Sequence, residues 1–281
     1  MSNLKVGIIG YGFVGKAMSD GFSKNTKNFH VDPKLGTNIS DLKEFDPDII
    51  FICVPTPMGA DGTQDDSILI KVCVEISELM PDKPLVIKST VVPSSLDKVI
   101  ALNKNLIYNP EFLREKFASH DFINASMIIL GGKKEVCKKV EAMYKNHSIC
   151  TTRNFIYTDI NAASLIKYFI NSFLALKVIY FNQLNEIYKN TNTNESWGNL
   201  ISIISQDARL GTTHMNVPGH DGKKGFGGAC FPKDTAAFLK YSSEIGVVAS
   251  ILKEGVLANN KIRSSYSTLD EREKEQNVKF T

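Results

Sequence analysis

Cys230 is the residue of this sequence with the strongest case for nucleophilic chemistry. It stands in the run Gly225-Phe226-Gly227-Gly228-Ala229-Cys230-Phe231-Pro232-Lys233-Asp234. Glycines ahead of it let the backbone come close to a ligand. Pro232 suits the first turn of a helix, which leaves Cys230 just before the helix N-terminus. The helix dipole and Lys233 both favour the thiolate. Taken without its neighbours, Cys230 would also fit a buried structural role. The other four cysteines, at 53, 73, 137 and 150, fall in strand-like or helix-like apolar contexts that suit inert core thiols.

A second cluster binds rather than reacts. Gly10-Tyr11-Gly12-Phe13-Val14-Gly15 is a GxGxxG that follows an apolar strand and opens a helix, with Asp32 at the end of the next strand. That context makes it a dinucleotide fingerprint. Gly10 serves the tight turn, Gly12 the approach of a pyrophosphate to the helix N-terminus, and Gly15 close helix–strand packing. An acid at position 32 accepts from ribose hydroxyls and repels a 2′-phosphate, which favours NAD over NADP. Cys53-Val54-Pro55-Thr56-Pro57 closes the third strand, where two prolines impose a rigid extended turn. That segment either simply turns the chain or lines the cofactor at the carboxyl edge of the sheet. Three further segments carry chemistry: Lys88-Ser89-Thr90, Asn109-Pro110-Glu111-Phe112-Leu113-Arg114-Glu115, and the pair Lys167 and Asn171, four apart on one helical face.

These residues need an α/β scaffold. Short apolar runs at Leu4–Ile9, Asn28–Val31, Asp48–Val54, Leu85–Lys88, Leu106–Tyr108, Met127–Leu130 and Phe155–Tyr157 alternate with helix-like segments. Continuous apolar strands of this kind imply a parallel, doubly wound sheet over residues 1–158. From Asp159, a candidate cap, to Asn190 the chain reads as one long helix. A second helix at 195–208, a Gly-rich loop at 211–228 and two helices toward Asn260 complete a helical region, 159–281. The polar stretch from Ser264 reads as a helix end with a mobile tail, and its run 270–275 as a solvated face.

The set GxGxxG, VPTP, KST, NPEFLRE, KYFIN, DARLG and GFGGACFPKD, in this order, resembles the UDP-glucose 6-dehydrogenase family. The resemblance runs from residue 4 to about 260. It implies a Rossmann-type NAD domain, a long central helix, a helical dimerisation domain and a third, nucleotide-binding domain. It implies Cys230 as nucleophile, Lys167 and Asn171 as oxyanion stabilisers, and Asp234 as the group that holds or activates water. Thr90, Glu111 and Glu115 would surround the reacting carbon and the hydrolytic water. Phe13, Val14, Val54, Pro55, Thr56 and Thr90 would join the glycines and Asp32 around NAD, with Lys233 touching both cofactor and substrate. Phe112, Leu113, Arg114 and Gly227 would contact the sugar nucleotide, and Arg209 would reach that of a neighbouring subunit. The reaction implied is oxidation of a C6 alcohol to a carboxylate through two hydride losses and a cysteine thioester. The water-activating base stays open among Glu111, Glu115 and Asp234.

The sequence departs from that pattern in three places. The family continues beyond the Asn259-Asn260 region into the third domain, whereas this chain runs about twenty residues further. Asn124-Ala125-Ser126-Met127 stands where the family usually carries an arginine. His220-Asp221-Gly222-Lys223-Lys224 forms a basic loop whose lysines are either solvated or available to a diphosphate. Three other readings compete: a dehydrogenase of GDP-mannose or a UDP-N-acetylhexosamine, a non-catalytic NAD-binding subunit, and a single-hydride hydroxyacid dehydrogenase. Intact Cys230, Lys167, Asn171 and Asp234 argue against the second, and a nucleophilic cysteine against the third.

Bulk properties set the remaining bounds. The chain has 281 residues, 43% hydrophobic and 22% charged. Such a chain buries a sizeable core without disulfide or metal. A net charge of +3 gives no case for nucleic acid. Five unpatterned cysteines suit free thiols in a reducing cytoplasm and no zinc site. With no leader pattern and no run of apolar residues of membrane length, no membrane is expected. The partners expected are a nucleotide sugar and a second copy of the chain, as a homodimer.

Overall fold

The computed structural model describes residues 3–280. It forms two compact units: Met1–Thr56 with Asp65–Lys167, and Pro57–Gln64 with Tyr168–Thr281. The division runs through one helix.

The first unit is built on seven strands: β1 (Leu4–Ile9), β2 (Thr26–Val31), β3 (Ile49–Ile52), β4 (Leu85–Ile87), β5 (Leu106–Tyr108), β6 (Ile128–Gly132) and β7 (Phe155–Thr158). Their order is β2-β1-β3-β4-β5-β6-β7. Six helices connect them: α1 (Phe13–Gly21), α2 (Ile39–Phe45), α3 (Ser67–Leu79), α4 (Pro93–Asp97), α5 (Ala118–Ile123) and α6 (Lys134–His147). The apolar strands serve both faces because successive side chains alternate. Ile50 and Ile52 pack with Leu42, Leu69, Cys73, Ile76 and Leu96 on one side. Ile49 and Phe51 pack with Ala17, Met18, Phe122, Val140 and Tyr144 on the other. Each such buried aliphatic or aromatic side chain contributes about 1.5–3 kcal/mol.

The sheet is not wholly parallel. β5 and β6 pair antiparallel, with Tyr108 opposite Gly131 and Ile107 opposite Gly132. A Cβ on Gly132 would lie 3.0 Å from the Leu106 carbonyl oxygen, so the glycines permit this junction. β7 runs parallel to β6.

Helix α7 spans Ile160–Lys189. Asp159 Oδ1 accepts from the Ala162 amide at 2.8 Å and caps it. An 18-residue window of α7 reaches mean hydropathy 1.4, with 44% of it buried. By length and composition alone, α7 is long and apolar enough to cross a membrane, although it holds no unbroken apolar run of that length. Both hold because the polar residues of α7 break every apolar run without lowering its mean far. Several of them turn inward and are bonded: Ser164 Oγ donates to Val91 O at 2.6 Å, and Asn171 and Lys167 are buried with partners described below. This is how a core helix is built.

The second unit adds α8 (Trp197–Ile204), α9 (Phe231–Glu244), α10 (Ser250–Arg263) and α11 (Glu271–Glu275). Its core joins Ala175 and Ile179 of α7 to Phe226, Phe231, Val256 and Ile262. α8 is shorter than the expected 195–208: Ser196 Oγ accepts from Asn199 N and starts it after Ser196, and it ends at Ile204. In the segment after Ser264 the charge run at 270–275 is mostly exposed, as expected, but Glu273 and Val278 turn inward. Glu273 has no exposed surface and Val278 only 2%. Asp270 and Glu273 form a capping box, and the Met58 amide donates to Gln276 O at 3.0 Å. Arg263, itself buried, pairs with the inward-turned Glu273 at 2.8 Å.

Candidate active site

In the first unit the Gly-rich turn has the form a dinucleotide requires. Gly10 sits at φ +90°, and a Cβ there would lie 2.5 Å from Cys53 O. A Cβ on Gly15 would lie 2.0 Å from Gly10 O. Gly12 is the N-cap of α1, where no side chain caps the helix and the space a Cβ would enter is open. Asp32 follows β2; its Oδ2 accepts from the Tyr11 amide at 2.8 Å and its Oδ1 from the Lys34 amide at 2.9 Å. A carboxylate offers about four acceptor positions, so capacity remains for ribose hydroxyls. An open cradle at an uncapped helix start and an acid tied to the same turn fit NAD.

The neighbouring strand ends are laced together. Ser89 Oγ donates to Val54 O at 2.7 Å, and Thr56 Oγ1 to Thr90 O at 2.8 Å. Thr56 and Val54 are buried, whereas Pro55 is exposed. Cys53 is half-buried, and burial pushes its thiol up to about 12. Burial likewise holds Cys73 near 12 and Cys137 near 11, and raises Cys150. None of these four is disposed to act as a thiolate.

After β5, Asn109 fixes the turn that carries Glu111. Its Nδ2 donates to Ile129 O at 2.8 Å, and its Oδ1 accepts from Tyr144 Oη at 2.8 Å and Lys88 Nζ at 3.0 Å. Lys88 is buried, and that burial lowers its pKa to about 8. Glu111 and Lys167 are brought together and buried. Lys167 Nζ donates to Glu111 Oε1 at 3.2 Å and to Glu111 O, and lies 5.1 Å from the Phe112 ring centre. Glu111 Oε2 also accepts from the Leu113 amide at 2.6 Å.

In the second unit Cys230 is the N-cap of α9, with Pro232 in the first turn as expected. It is half-buried. The Asp234 amide donates to Cys230 O at 2.8 Å. Asp234 is 1% exposed; its Oδ2 accepts from Asn171 Nδ2 at 2.7 Å and its Oδ1 from Lys233 Nζ at 2.6 Å. Lys233 thus pairs with Asp234, beside the cysteine rather than in open solvent. An open cavity of about 700 Å³ is lined by Pro232, Thr235, Ala236 and Leu239 of α9, and not by Cys230 or Asn171.

Three expected residues stand apart from these clusters. Glu115 is exposed at the start of a short 3-10 turn. Arg114 is exposed and forks onto Asp121 at 2.9 and 2.7 Å. Arg209 has an 88% exposed side chain and pairs with Asp207. Lys224 Nζ bonds Glu186 Oε1 at 2.5 Å and Lys223 Nζ bonds Thr268 O at 2.7 Å, so both loop lysines have protein partners. Tyr144, Arg263 and Glu273 were not singled out as site residues by their sequence context, and Lys88 only as part of Lys88-Ser89-Thr90. Among the described residues no three His, Cys, Asp or Glu side chains group as a metal site.

A doubly wound sheet with an uncapped glycine turn and an acid after β2 defines a dinucleotide-binding protein of the Rossmann class. More narrowly, the chain belongs to the UDP-glucose/GDP-mannose dehydrogenase family. Residues 23–148 match the family's NAD binding domain and residues 161–261 its central domain. NAD is accordingly its cofactor. The chain is 33% identical over 236 residues to a UDP-glucose 6-dehydrogenase of Rickettsia felis, covering 82% of this chain and 51% of that protein. It is 28% identical over 311 residues to one of Campylobacter jejuni, covering 98% and 76%. The solved UDP-glucose dehydrogenase of Pyrobaculum islandicum shares the fold, with TM-score 0.76, 24% identity and coverage of 92% and 68%. The chain thus spans about half the length of most curated relatives it matches.

Proposed function

We propose that this chain oxidises the C6 alcohol of a nucleotide sugar, UDP-glucose to UDP-glucuronate, through a thioester on Cys230. The observation that carries the reading is the buried Asn171–Asp234–Lys233 network at the start of the helix that Cys230 caps. A scaffold needs no nucleophile flanked by a bonded acid, amide and ammonium.

NAD supplies the acceptor for the hydride at each of two oxidations. Loss of a proton and a hydride from the alcohol gives an aldehyde. The Cys230 sulfur adds to its carbon as a thiohemiacetal, with a proton taken up on oxygen. A second loss of a proton and a hydride gives the thioester. Water then adds, the C–S bond breaks, and carboxylate and free thiol result. Lys167 as a cation and Asn171 as a donor suit the oxygen that gains charge when the sulfur or water adds. Asp234, fixed by two donors, and Glu111, fixed by Lys167, are the carboxylates suited to hold or deprotonate the water.

The test is stoichiometry. With a panel of UDP-glucose, GDP-mannose and UDP-N-acetylhexosamines, two NADH per UDP-glucose are expected. One NADH, or none with every sugar, overturns the reading; two with another sugar alone overturns the assignment of UDP-glucose. Cys230→Ala should abolish turnover, and Cys230→Ser should stall with an ester adduct visible by mass spectrometry.

The working form proposed is a homodimer in the cytoplasm. Phe169, Phe173, Tyr180 and Ile187 recur at helical spacing along α7 and are 56–65% exposed. A helix apolar beyond one buried stripe calls for cover on the other. Cys53, Cys73, Cys137 and Cys150, outside any disulfide, accord with a reducing compartment.

A further inference from the structure

The loop before Cys230 has almost no secondary structure of its own, yet side chains from elsewhere in the unit hold it at each step. Asn182 Oδ1 accepts from Gly225 N at 3.0 Å. Asn259 accepts from Phe226 N at 2.6 Å and donates to Phe226 O at 3.0 Å. The last tie, at Gly228, comes from Glu273 of α11, whose Oε1 accepts from the Gly228 amide at 3.0 Å.

Glu273 is fully buried, which for a carboxylate is costly unless it is paired and hydrogen-bonded. Here both oxygens accept. Oε1 also accepts from Arg263 Nη2 at 2.8 Å, and Oε2 from the Asp270 amide at 2.9 Å. Arg263, 3% exposed, extends the link to Asp221 at 2.6 Å on the far end of the same loop. Gly227 has no room for a side chain: a Cβ would lie 2.0 Å from Arg263 Nη2 and 2.6 Å from Glu273 Oε1. The rest of the segment repeats the pattern, with Lys224 N donating to Tyr266 Oη and Lys223 Nζ to Thr268 O.

We infer that the segment 264–280 is a strap whose Glu273 is a positioning residue for the nucleophile. By anchoring the Gly228 amide two residues before Cys230, Glu273 sets the path of the backbone into α9 and so the direction of the thiol. Arg263 pairs with Glu273 at 2.8 Å and holds it in place. The inference rests on the reading of Cys230 as nucleophile, but its geometry is a property of the loop alone.

The experiment compares Glu273→Gln with the native chain and with Glu271→Gln on the exposed side of α11. Three quantities are read: hydrogen exchange of the peptide spanning 221–234, the pH profile of Cys230 alkylation by iodoacetamide, and kcat against KM for NAD. Glu273→Gln should speed exchange of the loop, displace the alkylation profile, and lower kcat about tenfold with KM for NAD unchanged. Glu271→Gln should match the native chain in all three. A folded Glu273→Gln with native exchange and native alkylation overturns the strap. If Glu273→Gln does not fold, Lys223→Met, which cuts the exposed tie to Thr268 and the ammonium's contact with the Tyr266 ring, decides: a changed alkylation profile supports the strap and an unchanged one overturns it. A native chain that forms no NADH defeats the proposed function, while exchange and alkylation still decide the strap.

Discussion

Asn171 Nδ2 donates to Asp234 Oδ2 at 2.7 Å, and both residues are at least nine-tenths buried. The bond joins α7 to the first turn of α9. It also leaves Asp234 Oδ1 for Lys233, so the carboxylate balances one ammonium and fixes one amide at the same time.

Removing that charge should be expensive. Asp234→Asn keeps an acceptor for Asn171 but leaves the Lys233 ammonium buried without a counter-charge. Urea unfolding should show a loss of about 3–5 kcal/mol, the cost of breaking a buried pair from one side. A loss below about 1 kcal/mol would mean that Lys233 finds water or another partner.

Cofactor choice should follow Asp32. Asp32→Ala should weaken NAD binding by about 1–3 kcal/mol, read by calorimetry, through loss of charged hydrogen bonds. Part of the loss would come from releasing the Tyr11 and Lys34 amides that Asp32 now holds. Comparable kcat/KM with NADP in the native protein would contradict the assignment.

Lys88 makes stability depend on alkaline pH. Its folded pKa, about 8, lies below the ordinary 10.5 because burial disfavours the ammonium. Between those values the unfolded chain holds a proton that the folded chain has released, so stability rises with pH across the window. The gain at the top of the window is about 3 kcal/mol. Below pH 8 both states are protonated and the folded state bears the full burial cost. Buried thiols titrate in the opposite sense at higher pH, so the difference between native protein and Lys88→Met isolates the effect. Parallel unfolding curves for the two from pH 7.5 to 10.5 would rule it out.

Self-association should depend on the exposed face of α7. Phe173→Lys with Tyr180→Glu should convert the proposed dimer to monomer in light scattering, and a native chain that is already monomeric would refute the dimer. Mixing Arg209→Ala with Cys230→Ala subunits should restore part of the activity if Arg209 acts across the interface. No recovery after confirmed subunit exchange would assign Arg209 to its own subunit.

Local pattern carried much of this molecule. The glycine turn, Asp32, the Asp159 cap and the placement of Cys230 before α9 follow from residue types at short range, and each has the geometry its residues dictate. The antiparallel entry of β6 was hidden because apolar strands read the same in either direction; only Gly131 and Gly132 mark the junction. Glu273 was hidden for another reason. In a run of charges its burial is decided by Arg263 and Gly228, which are distant in sequence or irregular in structure. Lys88 shows the same limit: nothing beside it announces Asn109 or Tyr144.

The reversal of β6 and β7 also turns the opening of α7 into a phased spacer. β7 runs back across the sheet, so α7 sets out from the edge opposite the glycine turn. Roughly eight residues at 1.5 Å each then climb about 12 Å, close to the length of a four-residue strand. That climb delivers Lys167 to Glu111 at the top. Rotation and rise are locked together in a helix, so length here is angular information. One residue inserted between Asp159 and Lys167 would swing the ammonium by about 100° away from the carboxylate. Four would bring it nearly back into phase but overshoot by about 6 Å. The opening of α7 therefore tolerates exchange of side chains far better than any change in their number.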